Sequence, residues 1–231
     1  MGRLLAYRGA EAESETELAS ALKMFEKQND VQSQCIVWAH CALSALLRLR
    51  VLKHRGTESQ ELRDLCASVF HSARRALDLA DETARTIHPA ERDYVRAHWL
   101  LGAAHRVAGQ PDEAERHLHG ALERCRRINA VDGEADILID LARLRAATGA
   151  ADEARRLAEE ALLIADRSGY VLQGADAHLE LARLALARGD DTTALHHAEE
   201  SHRLATCDGP TDYTYHAAYV ESAALLAQIP K

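Results

Sequence analysis

Between residues 92 and 210 the apolar and polar positions of the chain return at a spacing of 40 residues. Leu101, Leu141 and Leu181 fall on that spacing, as do Gly109, Gly149 and Gly189, and Ala114, Ala154 and Ala194. Within each period, apolar side chains recur at helical steps on both sides of the glycine. This predicts two helices per period, with the glycine closing the first in a left-handed C-terminal cap. Asp112, Asp152 and Asp191 stand near the start of the second helix, where a carboxylate can accept its unpaired N–H groups. Gly102, Ala142 and Ala182 on the first helix, and Ala114, Ala154 and Ala194 on the second, are small where the two helices must come close. A unit of this size cannot bury a core alone, so neighbouring units must stack.

The rest of the chain follows the same plan less regularly. Gly9, Leu18, Ala21–Leu22 and Asn29 match Gly109, Leu118, Ala121–Leu122 and Asn129 at a shift of 100 residues, so 1–30 reads as a partial repeat. Its second helix, 11–28, carries Leu18, Ala21, Leu22 and Phe25 on one face. Because only half of its first helix is present and a solenoid needs a covered end, the chain is expected to be a fragment of a longer one. Residues 31–91 form an irregular long repeat. It has helices at 31–52 and 59–85, a loop containing Gly56, a cap at Ser59 and a connection around His88–Pro89. The regular repeats are 92–130, 131–170 and 171–210, and 211–231 supplies a capping helix over 211–228. The expected architecture is one all-α domain of about eleven helices over 1–231.

Composition sharpens this picture. The chain is 47% hydrophobic but only 4% aromatic, so its apolar mass is mainly Ala and Leu, which favours helix. A formal net charge of −8 argues against a nucleic-acid partner, which would call for clustered cations. No apolar run approaches the roughly 18 residues of a membrane span, so neither a membrane partner nor a location outside the cytoplasm is expected. Five cysteines without a Cys-x-x-Cys pair read as free thiols packed as small apolar groups.

The positions 98, 101, 102, 105, 114, 118 and 121 read His, Leu, Gly, His, Ala, Leu, Ala, and the next two periods read Leu, Leu, Ala, Arg, Ala, Ala, Ala and His, Leu, Ala, Ala, Ala, Ala, Ser. This resembles the tetratricopeptide repeat. The 40-residue spacing is longer than the family's usual length of about 34, and HEAT-type repeats have a similar period. The constant 12 residues from Gly102, Ala142 or Ala182 to the alanine of the second helix favour the tetratricopeptide reading. The phrasing of 174–190, GADAHLELARLALARGD, is similar to the C-terminal arrays of bacterial STAND-type signalling NTPases. These resemblances imply a right-handed α-solenoid of antiparallel helix pairs. They also imply a protein or peptide partner, and a sensor or regulatory role within a larger signalling protein. No G-x-x-x-x-G-K-[ST] occurs, so no nucleotide site is expected on this chain.

The resemblance also implies a concave face lined by the first helices. Carried over position by position, it comprises Trp38, Cys41 and Arg48, then Arg96, Trp99, Leu100 and Arg106. Asp136, Asp140 and Arg143 follow, then Asp176, Glu180 and Arg183, and His216 and Tyr219 from the last helix. Trp and Arg are favoured anchors at interfaces, and mixed charge suits a peptide of mixed charge. Two readings stand side by side: the tryptophans anchor a partner or fill space between helices, and the Asp/Arg alternation faces a partner or pairs within the chain. The family's two-carboxylate clamp for acidic C-terminal peptides needs Asn, and the equivalent positions, Arg96, Leu100, Ala103, Asp140 and Arg143, hold none. A second function class is self-association through the last helix and the partial first repeat, with Tyr213, Tyr215 and Tyr219 as contacts; the oligomeric state stays open.

No catalytic, metal or cofactor site is expected. His196–His197 and His117-x-His119 diverge on a helix, there is no His-Glu-x-x-His, and His98, His105 and His178 occupy packing positions. Cys41 beside His40 is not a nucleophile–base pair, because neighbours in sequence do not meet on a helix.

Overall fold

The computed structural model describes residues 1–54, 60–207 and 214–230. Gly56, Ser59, Pro210 and Tyr213 lie outside them. The described residues are helices joined by short turns, with no strand, and form the all-α helix-pair architecture of a solenoid. The helices are α1 (Gly2–Tyr7), α2 (Glu11–Lys27), α3 (Val31–His54), α4 (Gln60–Thr86), α5 (Glu91–Val107), α6 (Pro111–Arg127), α7 (Val131–Ala147), α8 (Ala151–Ser168), α9 (Val171–Ala187), α10 (Asp191–Thr206) and α11 (His216–Leu226).

Two compact units share them. Unit 1, Met1–Ala130, holds α1 to α6, and unit 2, Val131–Lys231, holds α7 to α11. Within each unit every helix packs on the next, and the odd-numbered helices also touch one another: α1 on α3, α3 on α5, α7 on α9, α9 on α11. The even-numbered helices make no comparable contact with one another among the described residues. The first helices therefore form the inner row of each unit.

The turns follow the glycines. Gly109, Gly149 and Gly189 take φ of +72°, +84° and +75°, and a Cβ at any of them would meet nothing within 4 Å. Their requirement is conformational rather than steric. Gly102 is the opposite case. A Cβ there would stand 2.6 Å from Leu118 Cγ, and at Gly2, its counterpart 100 residues earlier, 2.7 Å from Leu18 Cγ. Where the first helix carries alanine the facing residue shrinks to match: Ala142 packs with Ala158, and Ala182 with Ala198. The helix pairs thus keep their close approach by trading Gly–Leu for Ala–Ala.

Several expectations are corrected. Asp112 and Asp152 are not caps, because α6 and α8 begin at Pro111 and Ala151, with Gln110 and Ala150 in the cap position and making no side-chain cap bond. The two aspartates lie in the first turn, where they complement only the helix dipole. In α10 the cap is Asp190 and not Asp191: its side chain accepts the Thr193 N–H at 3.1 Å. The last helix begins at His216, because the Tyr215 N–H is drawn to the Ala205 carbonyl at 2.7 Å in an extended conformation. One helix stretch, Val31–Lys53, is after all long and apolar enough to cross a bilayer by length and composition. Its apolar face is covered by α1, α2, α4 and α5. All five cysteines are free. Burial pushes the Cys35 thiol up to about 12 and that of Cys41 to about 11, so both stay protonated and inert.

Candidate functional site

The inner row of unit 2 is polar where a helix stack needs only apolar contact. Asp136 on α7 accepts the Gln173 amide of α9 at 3.2 Å. About two turns on, Arg143 reaches from α7 to Glu180 of α9 at 2.8 Å, with Asp140 at 3.5 Å and Asp176 at 3.6 Å from its guanidinium. Arg183 carries the chain onward, from Glu180 at 2.7 Å to Glu221 of α11 at 3.1 Å. The Tyr215 hydroxyl donates to Asp176 at 3.0 Å. Most of these groups are withdrawn from water: the Arg143 side chain is 11% exposed and that of Glu180 6%. Five carboxylates, Asp136, Asp140, Asp176, Glu180 and Glu221, share this face with two guanidiniums. His216, at the start of α11, is half-buried, and Tyr219 is 38% exposed with its ring 4.4 Å from that of His202. Sequence reasoning brought Asp140, Arg143, Asp176, Glu180 and Arg183 to one face, and here they meet. It missed Glu221 and named Tyr215 only as a self-association contact; a shift of 40 residues from Glu180 and Asp176 falls on Val220 and His216, one position away from each.

In unit 1 the same positions are more scattered. Arg96 bonds Asp93 at 3.2 Å; Gln32 of α3 also bonds Asp93, and burial raises that carboxyl above its ordinary range. Arg48 sits between Glu11 and Glu15 of α2, at 2.9 and 3.2 Å, and Glu61 of α4, at 2.6 Å, so it ties three helices together. Trp38 is half-buried with its ring edge-on to His71 of α4 at 5.4 Å, which is contact within a helix pair. Trp99 and Arg106 are half-buried on α5, and Cys41 on α3. Leu100 is fully buried and cannot face a partner, because α5 is flanked by α3, α4 and α6.

A feature the sequence did not announce is a histidine pair spanning the two helices of a repeat. His98 of α5 and His117 of α6 meet Nδ1 to Nδ1 at 2.9 Å, and His178 of α9 and His197 of α10 meet in the same way at 2.8 Å, 80 residues later. One ring must donate and the other accept, so the bond needs at least one neutral ring in each pair and is lost when both are protonated. Burial, reinforced by Arg116, brings His117 down to about 4; burial, reinforced by His197, does the same to His178. His98 and His197 are lowered too, chiefly by burial. His105 stacks on His117, ring centroids 5.3 Å apart, and Phe70 of α4 meets His105 edge-on at 4.9 Å.

Residues 93–167, which span α5 to α8, match the tetratricopeptide repeat family, and this supports reading the chain as an array of such repeats. No curated protein matches the chain. Tetratricopeptide repeats generally mediate protein–protein interaction and are generally non-catalytic.

Proposed function

We propose that the chain is a scaffold that holds a protein or peptide partner against the inner row of first helices, as the sensor or regulatory module of a larger cytoplasmic signalling protein. The observation that carries this reading is the polar face of α7, α9 and α11. Ion pairs withdrawn from water stabilise a fold little better than well-packed apolar residues of the same volume. A face that carries them in three alternate helices is better accounted for by recognition than by packing. Carboxylates outnumber guanidiniums there, which favours partners bearing Lys or Arg side chains. Asp136, His216 and Tyr219 at its margins supply side chains within reach of a partner; in unit 1, taken by itself, Arg96 and Trp99 are the corresponding candidates.

Panning a peptide library on the full chain tests this. Basic peptides should be selected, and their affinity should fall at least about tenfold in an Asp136→Asn/Tyr219→Ala variant whose circular dichroism matches that of the parent. Peptides that bind this variant and an Arg96→Ala/Trp99→Ala variant as well as they bind the parent would remove the inner row from consideration. The exposure of Tyr219 on α11 favours a second reading, self-association through the last helix. Tyr215 takes no part in it, because it is buried on Asp176. Light scattering should then show mass rising with concentration, and rising less in Tyr219→Ala; a monomer at every concentration excludes it.

A further inference from the structure

Unit 1 brings three metal-ligand side chains to one place. His105 at the end of α5, and Glu113 and His117 on α6, each offer a ligand atom within 4.8 Å of the other two. Glu113 and His117 are four residues apart and so share a helix face, and the turn at Gly109 folds that face back onto the last turn of α5.

The hydrogen bonds fix which nitrogens are available. The Arg116 guanidinium lies 3.1 Å from His117 Nε2 and can only donate, so Nε2 carries the lone pair and Nδ1–H donates to His98. His105 Nδ1 bonds the Gln110 side-chain oxygen at 2.7 Å, which leaves Nε2 of that ring as its lone-pair nitrogen. Nδ1 of each imidazole is therefore held by a neighbour, as outer partners hold metal-binding histidines, but the two rings lie stacked within 10° of parallel, so the His105 ring must also turn for both Nε2 lone pairs to meet one ion.

We infer that His105, Glu113 and His117 form a site for a divalent transition-metal ion of the zinc class, at which Arg116 competes for the same acceptors. Two imidazoles and one carboxylate make a borderline N/O set suited to zinc, with water completing a tetrahedron. Bonds of about 2.1 Å require ligand atoms about 3.4 Å apart, so the cluster must contract. His117 is buried and serves as the fixed point, while the exposed Glu113 and half-buried His105 swing inward. The Arg116 guanidinium also donates to Glu113 Oε2, and its side chain is 63% exposed, so it can withdraw into solvent. The ion would clamp α5 to α6 across their turn. Sequence reasoning passed over this set because its members come from two helices and no short motif joins them.

The test uses the full chain stripped of metal with a chelator, then titrated with zinc by calorimetry and with cobalt by visible absorption. The wild type should bind zinc, show tetrahedral cobalt bands and melt at a higher temperature with zinc present. His105→Gln, at a half-buried position, and Glu113→Gln, at an exposed one, should each weaken this binding more than about tenfold and abolish the thermal shift. Arg116→Ala should tighten it, a result that a merely structural role for Arg116 would not give. His119→Gln, two residues from His117 and paired with Glu115 instead, should change nothing. No zinc binding by the wild type, or the same number of bound ions at the same affinity in His105→Gln and Glu113→Gln, overturns the proposal.

Discussion

Replacing Gly102 with alanine sets one methyl group against Leu118. The new Cβ would lie 2.6 Å from Leu118 Cγ, 2.8 Å from Cδ2 and 3.1 Å from the backbone nitrogen of Leu118. Leu118 is fully buried, so its side chain has no space to rotate into, and the backbone contact relaxes only if α5 and α6 move apart. Alanine gains about 1 kcal/mol of helix propensity over glycine, against an overpacking cost of about 1–3 kcal/mol. The geometry, with a side-chain branch point and a backbone atom both in the way, argues for the upper end and a net loss of about 2 kcal/mol. Leu118→Ala alone removes buried volume and should cost about 3 kcal/mol. Independent sites would together cost about 5 kcal/mol. The double variant instead recreates the Ala–Ala pairing of Ala142 with Ala158 and of Ala182 with Ala198. It should lose only about 3 kcal/mol, a coupling of about 2 kcal/mol. Both tryptophans, Trp38 and Trp99, belong to unit 1, so urea denaturation followed by tryptophan fluorescence reads the unit that carries the change. A neutral or stabilising Gly102→Ala, or a double variant whose cost equals the sum of the singles, would refute the argument from close approach.

Acid should loosen unit 2 through its histidine pair. His178 titrates near 4 in the folded chain against an ordinary 6.5, so between those values the unfolded state binds the extra proton. The stability it contributes is fully present above about 6.5 and is lost as pH falls towards 4. The equivalent positions one repeat earlier hold Leu138 and Leu157, so His178→Leu/His197→Leu should flatten the fall in melting temperature between pH 7 and pH 4, as read by circular dichroism; an unchanged slope contradicts the assignment. Arg143→Met removes one of the two guanidiniums from a face withdrawn from water, while Arg183 still holds Glu180, and should destabilise unit 2 by about 3 kcal/mol. Arg155→Ala, which breaks only the exposed pair with Glu159, should cost less than about 0.5 kcal/mol; thermal melts of the two variants make the comparison. Asp190→Ala should cost about 1 kcal/mol through the lost cap, and Asp191→Ala and Asp152→Ala clearly less, in the same denaturation assay.

The amino-acid sequence by itself determined the helix count, the place of nearly every turn and the pairing of neighbours. These depend on local physics: glycine alone enters the left-handed region without strain at 109, 149 and 189, and apolar side chains at helical steps leave each helix one face to bury. Caps were only half legible, since a carboxylate at Asp152 or at Asp190 looks alike in the chain and a shift of one or two residues decides whether it reaches an N–H or merely sits near the dipole. What only the tertiary structure decided is which side chains from different helices meet. Leu100 moved from the expected partner face into the interior because α5 has neighbours on three sides. The paired histidines, the His105–Glu113–His117 cluster and the reach of Arg183 to Glu221 depend on the rotation of one helix about its axis relative to the next. That rotation is set by how Gly102 and Leu118, or Ala142 and Ala158, fit against each other, a relation between facing surfaces that no spacing along one chain contains.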